Sequence, residues 1–476
     1  MRLKKITLNN FRCFEHLEIN LHPRLTVFVG ENGAGKTAVL DGIATALSPV
    51  LTYLSSANQR LTGRSFKDTD FRMESWEGKN KKERWGPADY AQVVAETFDG
   101  LRWDSWKSSS VGKEPFEKYG LTDLRAHLIK VADSYKTATP ALTPVLAYYG
   151  AQRGYIKVPE RLRGAKENYH YPAAALLGSL DSMSDFRGML AWFDLEESSE
   201  LRANKGVVDE NFEESPALAA VRASVVALLG GAFKYPHFNK DHKFALYREG
   251  GGSPLLVSQL SQGYQSMLAL AMDFSRRLVI ANPHLHDRDD DAVQAIDEAF
   301  KKFESSDPIS AAQIDVFSQA PLSMSAPAVM LVDEIDLHLH PSWQQSVLGD
   351  LMRTFPLTQF IVTTHSPQVL STVKRENIRV ISQGLDGKFI AEPPLAMTYG
   401  EPSGDVMQSV MNVDPQPPVA EKVDLQRLTE LVDQGQYETD EVEKLNQNLA
   451  TKLGTQHPQL QRLQRSIQRQ KALKQS

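Results

Sequence analysis

Apolar and polar positions alternate with period two at the start of the chain, over Leu3–Leu8 and Leu17–Leu21, which predicts half-buried strands. Leu25–Val29 is apolar enough for a further strand, and Val39, Leu40, Ile43 and Leu47 then recur at helical spacing. From Leu51 to about Gly120 the pattern is irregular and rich in Ser, Gly, Lys and Trp. Within it, Ala91–Phe98, the turn Asp99-Gly100 and Leu101–Trp106 predict a hairpin. Pro144–Tyr149 predicts a buried strand ending at Gly150. Helices are expected over Pro172–Glu200 and Pro216–Leu229, each with proline near its start, and over Ser258–Ile280. Phe244–Tyr247 reads as a short strand before Gly250-Gly251-Gly252. Ala328–Val332 and Phe360–Thr364 are unbroken apolar runs, as in a parallel sheet covered on both faces. Between them Pro341–Phe355 predicts one helix with proline in its first turn. Asp414–Pro418 reads as a stiff linker, followed by polar helical sequence to the end. There Leu460, Leu463 and Ile467 share one helical face and Arg462, Arg465 and Arg469 a neighbouring one. No internal repeat is visible.

Composition changes this picture little. A length of 476 residues suggests two or three domains, or one domain with insertions. The apolar share of 41% and the charged share of 24% are ordinary for a globular protein. A formal net charge of -6 argues against a generally basic, nucleic-acid-coating protein but allows a local basic patch. That charge is concentrated in an acidic insert, residues 283–318, where nine acids face only Arg288, Lys301 and Lys302. From His457 onward the chain carries Arg462, Arg465, Arg469, Lys471 and Lys474 and no acid. Such runs are usually solvated faces. The single cysteine, Cys13, allows no internal disulfide and suits a reducing cytosol. The basic start Met1–Lys5 is followed by mixed sequence and not by the apolar core of a signal peptide. No run approaches the roughly 20 apolar residues of a membrane span. These features lead us to expect a cytoplasmic protein with no membrane contact.

The most specific chemistry is Gly30-Glu31-Asn32-Gly33-Ala34-Gly35-Lys36-Thr37, which fits G-x-x-x-x-G-K-[ST] between a strand and a helix. In that setting backbone N–H groups of Asn32, Gly33, Ala34 and Gly35 cradle phosphate oxygens, aided by the helix dipole. Lys36 then reaches the β- and γ-phosphates and Thr37 holds Mg²⁺. A glycine turn capping a helix is the alternative, disfavoured by the combination of pattern and setting.

Four further pieces bear on the site. Asp333 and Glu334 leave the Ala328–Val332 strand, where an aspartate holds Mg²⁺ and a second carboxylate polarises water. Acidic pairs after apolar strands also arise by chance. His365 ends the next strand, on the edge where α/β sheets bind ligands, and is either a structural histidine or, as the preceding acidic pair favours, a bridge between the γ-phosphate and Glu334. Leu260-Ser261-Gln262-Gly263-Tyr264 opens a long helix as an anion site, or simply as a cap. Arg12, in Asn10-Phe11-Arg12-Cys13-Phe14, is either a phosphate or ribose contact or a surface arginine in a turn.

In this order the motifs resemble the ABC-type ATPase heads of the SMC/RecF/OLD group. Ile6–Phe14 is similar to that group's first hairpin, Leu260–Tyr264 to a degenerate ABC signature, and Leu331–Pro341 to its Walker B segment and D-loop. His338–Gln345 and Phe360–Leu370 resemble more closely a group of bacterial ATP-binding proteins that includes the PtuA-type ATPases of Septu and retron anti-phage systems. The resemblance is strong over 1–50 and 255–400, looser over the tail and thin over 51–250. It implies an α/β fold of P-loop NTPase type: an ABC-type ATPase head with a helical insertion and a C-terminal helical segment. The implied parts are an N-terminal lobe (1–160) with the phosphate loop and a β-rich insertion, a mostly helical insertion (161–254), a C-terminal lobe (255–412) and a helical tail (413–476).

The resemblance further implies ATP and Mg²⁺ as cofactors, with Mg²⁺ held by Thr37 and Asp333 and water activated by Glu334. His365 is the switch histidine, Gln152 the Q-loop candidate, and Asp336 carries the D-loop role across a dimer. Two heads sandwich two ATPs, so Ser261 and Gly263 of one copy complete the site of the other. The signature departs from the usual pattern at Gln262 and Tyr264, which implies slow or partner-dependent turnover. His338 and His340 read as structural, since two ligands leave a metal site incomplete. Sustained heptads are absent, which disfavours long coiled-coil arms.

The expected role is an ATPase subunit of an anti-phage complex, a homodimer or higher homo-oligomer that senses infection and controls a separate nuclease subunit. No metal-binding carboxylate cluster follows Ser382 to supply a nuclease in cis. The alternative is a RecF/SMC-like repair ATPase that clamps DNA, and a transporter ATPase is the weakest reading. DNA or other nucleic acid has candidate contacts at Lys79, Lys81, Lys82, Arg84 and the tail arginines.

Overall fold

Continuous apolar runs set the central sheet. In the computed structural model, six strands lie in the order β15-β14-β3-β13-β12-β8. They are β3 (Leu25–Val29), β8 (Val145–Tyr149), β12 (Ala328–Val332), β13 (Thr358–Thr363), β14 (Ile378–Gln383) and β15 (Phe389–Glu392). All neighbours are parallel except β15, which pairs antiparallel with β14 at the edge. Every residue of β3, β8, β12 and β13 is buried, as a sheet covered on both faces requires. The structure describes all residues except 57–58, 78–82, 110–111, 138, 155–168, 170, 183–185, 208–210, 305–319, 385 and 476.

The alternating segments form a second, antiparallel sheet, β2-β1-β6-β7. Its strands are β1 (Leu3–Phe11), β2 (Phe14–Asn20), β6 (Tyr90–Thr97) and β7 (Arg102–Ser108). The Asp99-Gly100 hairpin forms with Glu96 opposite Arg102, and Gly100 takes φ +84° at the turn. Helix α1 (Lys36–Leu54) packs against both sheets in one core that holds Leu8, Trp103, Leu331 and Ile361. Trp103 donates its indole N–H to the Ala46 carbonyl at 2.7 Å. Burial of each large side chain there, Leu40 for example, stabilises by about 1.5–3 kcal/mol. Among the described residues α1 is the one helix long and apolar enough to cross a membrane, and that apolar surface lies in this core.

Strands β4 (Met73–Glu77) and β5 (Glu83–Pro87) pair as a separate ribbon, and α2 (Thr122–Ser134) packs on α1. Helices α3 (Phe186–Ala203) and α4 (Pro216–Leu228) precede a small sheet of β9 (Phe233–Phe238), β10 (Phe244–Arg248) and β11 (Leu255–Leu256). Phe193 of α3 meets Phe244 edge-on at 5.2 Å. Helix α5 (Gln262–Ala281) is buried along nearly its whole length. Part of the acidic insert forms α6 (Asp290–Glu304), and residues 305–318 of that insert lie outside the described residues.

Two helical expectations are corrected. Pro172–Glu200 is not one helix: a 3₁₀ turn over Pro172–Leu176 precedes α3. After that turn, residues 177–182 run beside β8, where the Ser179 and Ser182 carbonyls accept the N–H groups of Tyr148 and Gly150. A helix would consume those carbonyls internally. Pro341–Phe355 is two helices, α7 (Pro341–Gln344) and α8 (Val347–Thr354), because the first closes with a tight Ser346 N–H bond to the Trp343 carbonyl. A short helix, α9 (Pro367–Leu370), follows β13.

The chain divides into two compact units, Met1–Val406 and Met407–Ser476. In the second, α10 (Lys422–Asp433), α11 (Asp440–Leu453) and α12 (Pro458–Gln475) bury Leu428, Leu431, Leu449 and Leu460, with Leu463 and Ile467 packed alongside. Arg462, Arg465 and Arg469 are exposed.

A buried charged cluster ties α5 to the central sheet. Asp273 accepts hydrogen bonds from Arg276 and Arg277 at 2.7 Å each and from the Tyr149 hydroxyl of β8 at 2.9 Å. Burial alone would raise this carboxyl, but Arg277 and Arg276 outweigh it and hold it down to about 2. An unfolded aspartate titrates near about 3.9, so the cluster's stabilisation is complete above that pH and is lost as pH falls toward 2. Asp273→Ala leaves two buried guanidinium groups without their carboxylate and is expected to destabilise by roughly 3–5 kcal/mol. Denaturant melts from pH 2 to 7 check this, and the deficit against the wild type should shrink at the acid end.

Candidate active site

The phosphate loop, Asp333, Glu334 and His365 lie at the C-terminal edge of the parallel sheet or at the start of the helix that follows it. β3 ends at Val29, and Gly30–Gly35 turns into α1. Gly35 takes φ +94°, and a Cβ there would lie 2.4 Å from the Phe14 ring and 2.8 Å from Cys13 Sγ. Only glycine allows both the left-handed backbone and the close approach. Asn32 and Gly33 are exposed, Ala34 is half-buried, and the Ala34 N–H closes the loop onto the Glu31 carbonyl at 3.2 Å. Lys36 is buried and folds its ammonium back along the loop, donating to the carbonyls of Gly30 (2.8 Å) and Glu31 (2.9 Å). Its burial lowers the ammonium pKa, against an opposing pull from Asp333, Glu334 and Asp336.

β12 ends beside this loop. The Thr37 hydroxyl donates to Asp333 Oδ2 at 2.8 Å, and Asp333 Oδ1 accepts the Thr363 hydroxyl of β13 at 2.6 Å. Thr363 Oγ1 also accepts the Glu334 N–H at 2.7 Å. Glu334 is half-buried and takes φ +50°, a sparsely populated value for a residue with a side chain. Asp336 turns its carboxylate to the end of β13, accepting from the Thr364 hydroxyl at 2.5 Å and the His365 N–H at 3.3 Å. The His365 ring is half-buried.

Arg153 was not picked out from sequence, yet it is the closest support of Asp333 and Glu334. It follows β8 in the 3₁₀ turn Ala151–Gly154 and is buried. It donates Nη1 to the Asp333 and Gly150 carbonyls and Nη2 to the Glu334 carbonyl at 2.6 Å. Burial draws its pKa down to about 10, while Asp333, Asp336 and Glu334 pull the other way. A basic residue just past an apolar strand, at the edge that carries the phosphate loop, is the signal that could have found it. Its neighbour Gln152, the Q-loop candidate, is exposed on the same turn.

Arg12 is tied down within the chain. It takes φ +53°, bonds Asp70 at 2.9 Å and Asp41 of α1 at 2.5 Å, and shares both carboxylates with Arg64. Burial opposes its charge, but Asp41 and Asp70 outweigh that and raise its pKa. The signature segment stands elsewhere. Ser261 is the exposed N-cap of α5 without using its hydroxyl as a cap, and a Cβ on Gly263 would lie 2.6 Å from the His338 carbonyl oxygen. Among the described residues neither bonds to the Gly30–Thr37 loop. His340 caps α7, accepting from the Ser342 N–H. Lys79, Lys81 and Lys82 lie outside the described residues, and Arg84 is exposed on β5.

Comparisons with known proteins point to an ATPase. A family described as "AAA domain" matches residues 5–168, and one described as "AAA domain, putative AbiEii toxin, Type IV TA system" matches 193–371. The retron Vc95 probable ATPase of Vibrio cholerae serotype O1 biovar El Tor is 25% identical over 461 residues, covering 86% of this chain and 78% of the relative. The retron Ec83 probable ATPase of Escherichia coli is 27% identical, covering 98% of this chain and 87% of the relative. The chain is an ATPase, similar to these retron ATPases over most of its length. A shorter match, 47% over 45 residues, links it to the Septu protein PtuA of Bacillus mycoides strain KBAB4, over 10% of this chain and 6% of that one.

In this ATPase Thr363 holds both acidic positions at once. Thr363→Val keeps the shape but leaves the half-buried Glu334 N–H and one oxygen of buried Asp333 without their partner. A stability loss of about 1–3 kcal/mol is expected in urea melts, together with slower ATP turnover. Wild-type stability in this variant would contradict the bonding described.

Proposed function

We propose that this ATPase is the ATP-binding and hydrolysing subunit of a bacterial anti-phage defence complex, acting in the cytoplasm with a separate effector nuclease. The observation that carries the chemistry is the 2.8 Å contact between the Thr37 hydroxyl and Asp333, made beside Lys36 at the end of β12. The near full-length likeness to two retron ATPases supports the biological setting.

The residues fit a nucleotide with Mg²⁺. A hydroxyl and a carboxylate side by side are hard oxygen donors of the kind Mg²⁺ takes. Thr37 and Asp333 would hold the ion, which when bound offsets charge on the phosphates. Lys36, pulled from the Gly30 and Glu31 carbonyls, is placed to reach phosphate oxygens, and the loop N–H groups bind them from the start of α1. Glu334 accepts the proton of the attacking water, and His365 steadies the γ-phosphate side. Asp336 and the segment that begins α5, with Ser261 exposed and Gly263 buried, complete the site of a second copy, so hydrolysis takes place in a dimer or larger homo-oligomer. The exposed Arg462, Arg465 and Arg469 offer a basic face to DNA, in the defence role or in the alternative of a RecF/SMC-like DNA clamp.

Two variants test the reading by binding and steady-state kinetics. Glu334→Gln should lower kcat by about a hundredfold or more while ATP stays bound and an ATP-dependent dimer accumulates. Lys36→Ala should weaken ATP binding itself by about tenfold or more. Unchanged hydrolysis in the first removes Glu334 as the base, and native ATP affinity in the second contradicts the loop assignment.

A further inference from the structure

A buried guanidinium commonly faces a carboxylate, but Arg153 does not: among the described residues no acid lies within ion-pair distance of it. Its donors go instead to main-chain oxygens, Nη1 to Asp333 and Gly150 and Nη2 to Glu334. The Asp333 and Glu334 carbonyls belong to the two peptide groups that flank the Glu334 Cα. One planar fork therefore fixes both planes, and with them the direction in which the Glu334 side chain leaves the backbone. That residue sits at φ +50°, where a side chain is held only if its surroundings over-determine it. The opposite grip comes from β13, through the Glu334 N–H on Thr363 Oγ1 at 2.7 Å and the Ile335 N–H on the Thr363 carbonyl at 2.9 Å.

We propose that Arg153 is a positioning residue for ATP hydrolysis, aiming the Glu334 carboxylate by clamping the peptide groups on either side of it. The proposal rests on Glu334 being the base. Arg153 acts through the backbone, so its loss leaves the phosphate loop, and hence ATP affinity, in place. Lysine keeps the charge but is a single point donor and cannot hold two carbonyls in one plane.

The test is a double-mutant cycle on the full chain with Arg153→Lys, Glu334→Gln and the combination, read by steady-state ATP hydrolysis, fluorescent-ATP binding and thermal melting. Arg153→Lys is expected to lower kcat by about tenfold to a hundredfold, with KM and ATP affinity within about threefold of wild type. In the Glu334→Gln background it should lower the residual rate no further. Arg153→Gln, neutral and shorter, is run alongside so that a folding defect in one variant does not decide the result, and it should show the same split. Wild-type kcat in both folded variants, a loss confined to ATP affinity, or the same fold-loss with and without Glu334 would each overturn the proposal. Wild-type hydrolysis by Glu334→Gln alone would instead overturn the reading beneath it.

Discussion

The contact of Thr37 with Asp333 is the constraint around which this ATPase is arranged. The two residues are 296 positions apart, and their oxygens meet at 2.8 Å. Nothing local brings them together. β3 and β12 are held one strand apart, with β13 between them, so that their C-terminal ends open on the same edge. That arrangement needs a parallel sheet buried on both faces, and the unbroken apolarity of β3, β12 and β13 secures it. Past the last ladder bonds, the Asp333 N–H continues onto the Tyr149 carbonyl and the Thr364 N–H onto the Phe28 carbonyl. The site is thus an extension of the sheet, which suits a geometry that must stay fixed during phosphoryl transfer.

Around that contact the chain gathers its supports from both neighbouring strands. Thr363 approaches from β13 and Arg153 from the end of β8, and between them they define the main chain of Glu334. β8 also reaches the other way: the Tyr149 hydroxyl binds Asp273 on the helix that Ser261 caps. The strand that Arg153 follows therefore touches both the acidic pair and α5. Gly263 adds a third meeting point, since its lack of a side chain lets α5 approach the His338 carbonyl.

Much of this was legible in the sequence because its signals are local. The loop Gly30–Thr37 carries its glycines and its flanking strand and helix within a few residues of one another, and apolar runs announced β8, β12 and β13 directly. What stayed hidden depends on partners distant in sequence. Arg153 and Gln152 are adjacent, and nothing in their spacing tells which one turns inward. The expected helix over Pro172–Glu200 failed because the Ser179 and Ser182 carbonyls pair with the edge of β8, an interaction periodicity cannot register. Arg12 read as either a phosphate or ribose contact or a surface arginine, and its ion-pair partners Asp41 and Asp70 come from an adjoining helix and loop.

The central claim is that Thr37 and Asp333 form one Mg²⁺-nucleotide site out of remote segments. Calorimetric titration of ATP with and without Mg²⁺, in the wild type and in Asp333→Asn, tests it most directly. The account predicts that Mg²⁺ tightens ATP binding by about tenfold or more in the wild type and that this advantage vanishes in the variant. An equal gain from Mg²⁺ in both proteins would contradict it.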